Sequence, residues 1–156
     1  MDTNPKAWIG NWQRELEGAY LYGELARLSP TPEMQRAMQT MADQESHHAQ
    51  LWSEKVRECI PNARTPGIDL RIRLTLRLAK LLGPKAILSL LINDEVSDIA
   101  SYTDQAMSSG DIVTYQPVVS QETNHARTLV ALRHPEAPEQ HSEPWHRGAQ
   151  ASGIVR

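Results

Sequence analysis

Six side chains of two types recur at helical spacing along this chain. Glu15 is followed seven residues later by Tyr22, and Glu95 seven residues later by Tyr102. Two Glu-x-x-His motifs, Glu45-Ser-His-His48 and Glu122-Thr-Asn-His125, alternate with these lone glutamates. The two halves are offset by 80 residues at the lone glutamates and by 77 at the paired ones. Residues three apart lie about one turn apart on the same face of an α-helix, so Glu45 with His48, and Glu122 with His125, aim at one point. Four carboxylates in a helical core are prohibitive unless compensated. Two divalent cations cancel their charge, and two neutral imidazoles complete the coordination. Carboxylate and imidazole without thiolate suit iron or manganese better than copper(I) or structural zinc. Two of the carboxylates can bridge, which sets up a metal pair for two-electron chemistry with O2 or peroxide. A third match, Glu143-Pro-Trp-His146, is incidental, because Pro144 breaks the helix and no partner glutamates accompany it.

The elements that must position these residues are helical. A first helix runs from Pro5 to about Leu28, with Trp8, Trp12, Leu16, Ala19 and Tyr20 near helical spacing. Thr31-Pro32-Glu33 supplies a cap, a first-turn proline and an acid suited to the dipole, opening a second helix that reaches Cys59 or Ile60. A third long helix starts near Pro84 and ends at Ser108 or Ser109, before Gly110. A fourth covers Pro117 to His134, its start lying as early as Asp111 in the alternative reading. Between them, Ile68–Leu82 alternates like a strand but has no partner strand, which favours an amphipathic helix. That helix gathers Arg73, Arg77 and Lys80 on one side and most leucines on the other, either covering the core or lying on a membrane or partner surface. The expected architecture is an all-α four-helix bundle with one long crossover, over residues 1–135. Residues 136–156, rich in Pro, Gly and Ser, read as a linker or tail.

Composition narrows the classes further. The 156 residues suit one domain. A net charge of −3 argues against a nucleic-acid partner, and the single Cys59 excludes a four-cysteine rubredoxin or zinc site. The N-terminal MDTNPKAWIGNW lacks a signal-peptide pattern, and the expected location is cytoplasmic.

The alternation of Glu and Glu-x-x-His is the ferritin-like di-iron pattern. More narrowly, the stretches Arg14-Glu-Leu-Glu-Gly-Ala-Tyr-Leu-Tyr22, Asp43-Gln-Glu-Ser-His-His-Ala49 and Gly83-Pro84 resemble the rubrerythrin-type domain of erythrin–vacuolar iron transporter fusions, the membrane-bound ferritins. In that family the helical domain precedes a membrane iron transporter, and the segment Glu143–Arg156 resembles the approach to it. The resemblance implies that this chain is the cytosolic portion of a longer membrane protein.

It also implies two iron ions held by Glu15, Glu45, His48, Glu95, Glu122 and His125, with manganese or zinc as substitutes. Asp98, one turn after Glu95, is either an additional carboxylate or a solvated residue; the corresponding position of the first helix is Gly18. Tyr22 and Tyr102 are candidate hydroxyl donors to carboxylates on facing helices. Glu17 and His47 are expected at the surface, and Trp8, Trp12 and Trp52 in core or dimer packing. The implied function is Fe(II) binding, with oxidation by O2, for sensing or delivery to a membrane transporter. Alternatives are a peroxide reductase with an external electron donor and bacterioferritin-like storage. A homodimer is expected, with hairpins exchanged through the long crossover as one form of it.

Overall fold

Most of the helices open where a capping side chain satisfies a free backbone N–H group. The computed structural model describes residues 4–134. Asn4 accepts from the Ala7 N–H to open α1 (Pro5–Leu28), and Thr31 accepts from Met34 to open α2 (Pro32–Cys59). Asp69 caps α3 (Leu70–Leu82) by accepting from Arg71. A 3-10 turn at Pro84–Ile87 leads into α4 (Leu88–Ser109), and Asp111 accepts from Thr114 to open α5 (Ile112–Arg133). The chain is all-α, with no strand among the described residues. Gly110 ends α4 at φ 71°, a left-handed conformation that glycine adopts without a Cβ clash.

The three-residue link from α1 to α2 and the two-residue link from α4 to α5 fold each pair into an antiparallel hairpin. Side chains join the hairpins: Asn11 and Gln105 exchange hydrogen bonds, and Arg14 reaches Asp98 and Ser101. Residue numbers rise along α1 as they fall along α4, so these two helices are also antiparallel. At the far side Lys55 of α2 lies 3.2 Å from Asp111.

Two apolar layers fill the interior. One combines Leu21, Leu25, Met34, Met38, Leu88, Leu91 and Leu129 with Ile72, Leu76 and Ala79 of α3. The other is aromatic, built on Trp12, Trp52, Tyr102 and Tyr115, with Trp52 stacked on Tyr102 at 5.7 Å between ring centroids. Trp12 and Trp52 are therefore core residues, and Trp8 is partly buried against the same layer.

Three sequence expectations are narrowed or corrected. The last helix begins at Ile112, so the earlier of its two expected starts, near Asp111, holds and Pro117 lies inside α5. Asp111 outcompetes the proline as a start signal because it caps α5 and also meets Lys55. Most leucines of α3 do share one side, but that side does not cover the core: Ile72, Leu76 and Ala79 pack inward, while Leu70, Leu74, Leu78, Leu81 and Leu82 are exposed. Glu17 is buried, not at the surface, because the crossover returns over it and the Asp69 N–H donates to its carboxylate at 2.9 Å. The tail reading for residues 136–156, including Glu143 and His146, lies outside the described residues.

Candidate metal centre

Between the two apolar layers lies a slab of buried acid. Glu15 from α1, Glu45 and His48 from α2, Glu95 from α4, and Glu122 and His125 from α5 are all buried. Their ligand atoms form two groups. Glu15, Glu45, His48 and Glu122 make one, and Glu45, Glu95, Glu122 and His125 the other, with the atoms of each group within 4.8 Å of one another. Glu45 and Glu122 belong to both. One chain supplies all six.

The imidazoles are aimed. His48 turns Nδ1 to Glu15 at 3.2 Å and to Glu122 at 3.1 Å. His125 turns Nδ1 to Glu45 and Glu122, each at 3.3 Å, and to Glu95 at 3.5 Å. Behind each ring a glutamine of the other hairpin takes the second nitrogen. His48 Nε2–H donates to Gln121 at 2.5 Å, and His125 Nε2–H to Gln44 at 2.7 Å. That assignment leaves Nδ1 as the ring atom facing the carboxylates, the place for either a proton or a metal. Spacing analysis overlooked both glutamines, although each immediately precedes the Glu of its motif and the full pattern Gln-Glu-x-x-His occurs twice.

The tyrosines are paired in the same crossed way. The Tyr22 hydroxyl donates to Glu95, and the Tyr102 hydroxyl to Glu15. Gly18 explains how Glu45 enters: a Cβ there would stand 2.9 Å from the Glu45 carboxyl carbon, so only glycine leaves that room. Asp98 is not brought into either group. Its carboxylate takes the Arg14 guanidinium at 2.8 Å, half-buried at the edge of a cavity of about 160 Å³ that reaches Glu15, Glu45 and Glu95. His47 is exposed, on the other side of α2 from His48.

The electrostatics are those of crowded acids. Burial, then repulsion from Glu15, holds the Glu45 carboxyl well above the usual range, and burial pushes Glu95 up to about 8 against the pull of His125. Glu122 goes the other way, to about 2, because the two imidazoles beside it outweigh its burial. Burial lowers the affinity of both imidazoles for a proton, but the facing carboxylates overcome it and raise His48 to about 10 and His125 to about 9. Burial, opposed by Arg14, raises Asp98 to about 7. Tyr22 and Tyr102 are held well above 10, chiefly by burial, so both remain hydroxyl donors.

The residues fit a metal pair. Glu95 Oε2, Glu122 Oε1 and His125 Nδ1 are buried without a well-aligned hydrogen bond, their polar neighbours at 3.1–3.5 Å being other acids and imidazoles of the same cluster. Buried ligand atoms left without well-aligned hydrogen bonds are rare in a core and are what a cation would satisfy. Buried Glu and His groups able to hold metal ions are thus present; the donor set does not name the metal. No protein-family model, curated protein or solved structure matches this chain.

Proposed function

We propose that this chain is a ferritin-like di-iron protein in which α1, α2, α4 and α5 form the four-helix bundle, and that it binds Fe(II) and passes its electrons to O2. The observation that carries this reading is the sharing of Glu45 and Glu122 between two groups of buried donors, three atoms of which lack a well-aligned hydrogen bond. Glu15 and His48 would hold one ion, Glu95 and His125 the other, and the shared carboxylates would span both. When bound, iron supplies the change between its ferrous and ferric states.

The rest is the work of the chain's own groups. Four carboxylates offset the four positive charges of two divalent ions in a medium where unpaired charge is costly. Gln44 and Gln121 hold the imidazole rings in one tautomer. The Tyr22 and Tyr102 hydroxyls fix the terminal glutamates Glu95 and Glu15 by hydrogen bonds. Apolar layers close the site above and below, and the polar cavity beside Arg14 and Asp98 leaves one side open to small solutes and water. A role in iron sensing, or in delivery to a membrane transporter as in the erythrin–vacuolar iron transporter fusions, is the biological setting that this chemistry and the sequence resemblance favour.

Fe(II) added without oxygen, followed by air, tests the reading. The expected result is tight ferrous binding, then oxygen uptake with a rise in near-ultraviolet absorbance faster than for iron in buffer. Iron that stays unbound, or oxidises no faster than in buffer, would overturn it.

A further inference from the structure

The helix α3 has two apolar sides, and the fold covers only one. Ile72, Leu76 and Ala79 pack inward. At about 100° per residue, Leu70, Leu74, Leu78 and Leu81 fall within about 80° of one another on the opposite side. They are 65%, 51%, 44% and 81% exposed. Arg73, Arg77 and Lys80 run along one edge of this stripe, and Arg71, held by Asp94 at 3.1 Å, stands on the other. Lys80 lies 3.9 Å from Glu24, whereas Arg73 and Arg77 have no carboxylate at ion-pair distance among the described residues. The thirteen residues of α3 include four bases and no acid, in a chain of net charge −3.

We propose that the outer face of α3 docks on an anionic lipid surface, the helix lying in the plane of the interface. The leucines enter the acyl boundary, and the long stems of Arg73, Arg77 and Lys80 carry their charges up to the headgroups. Charge complementarity selects this occupant. A second copy placed on the same face by two-fold symmetry would set one basic edge near another. The stripe itself offers only leucine, with none of the polar groups that register a protein interface, where about one hydrogen bond forms per 100–200 Å². A fluid layer of phosphate and carboxylate headgroups needs no such register.

Sedimentation with vesicles tests this. The intact chain should bind phosphatidylserine-containing vesicles about tenfold or more tighter than pure phosphatidylcholine ones, and less tightly as salt is raised. The Leu74→Gln/Leu78→Gln/Leu81→Gln variant should lose binding while keeping its helical circular dichroism. Arg73→Gln/Arg77→Gln should lose the preference for the anionic lipid. Absence of vesicle binding, or equal binding to both lipids, overturns the proposal. So does a wild-type dimer that the leucine variant dissociates without any vesicle binding, which would assign the face to a second copy.

Discussion

Gln121 and Gln44 show how much of the centre depends on side chains that would touch no metal. Each accepts from the Nε2–H of the histidine on the other hairpin, so loss of either frees a ring to rotate and to exchange tautomers. Gln121→Ala should weaken metal binding by about 10- to 100-fold with the fold retained, measured by competition with a metal-sensitive dye. Unchanged affinity would show that packing alone holds the ring. The six acid and imidazole side chains were legible in the sequence because a three-residue spacing is a statement about one helical face. The glutamines were less so, since an isolated Gln carries no chemical signature. Their signal was the repeat, Gln-Glu at the same register in both halves. Glu17 could not be read at all, because its cover comes from Asp69, far along the chain.

Among the elements, α5 is the one least specified by its own sequence. Pro117 lies within it, so a helical hydrogen bond is forfeited, and Asp111 compensates at the N-terminus through Thr114 and Lys55. Asp111→Ala should destabilise the chain by about 0.5–2 kcal/mol, read from urea denaturation. An unchanged midpoint would mean that tertiary packing alone starts the helix. Proline as a usual helix opener explains why sequence reasoning preferred Pro117. The first two helices were legible to within a residue or so, since Pro5, the Ser29–Thr31 turn and Pro61 bracket them. The crossover was legible as a helix only because no strand was available to pair with it. Which leucines it buries was not legible, because Leu occurs on both sides of α3 and only packing against Ile87, Leu88 and their neighbours chooses between them.

At the scale of the whole molecule, the folded chain gathers four buried carboxylates and two imidazoles at one depth, and its protons follow. His48 and His125, raised to about 10 and 9, and Glu95, raised to about 8, each hold a proton at neutral pH. A proton on Nδ1 and a metal at the same lone pair exclude one another. Metal binding at pH 7 should therefore release protons, and affinity should rise as the pH is raised from 6 towards 9. Mn(II) calorimetry in two buffers of different ionisation enthalpy measures this directly; affinity that is flat or falls with pH would contradict it.

In the proposed centre a pair of ions is held through the Glu45 and Glu122 carboxylates. Metal analysis after equilibrium dialysis against Fe(II) without oxygen tests it most directly, with the wild type beside Glu45→Ala/Glu122→Ala. Each wild-type chain should take up a pair of ions, with no paired binding once both shared carboxylates are gone. A single ion per wild-type chain, or a full complement in the double variant, would contradict it.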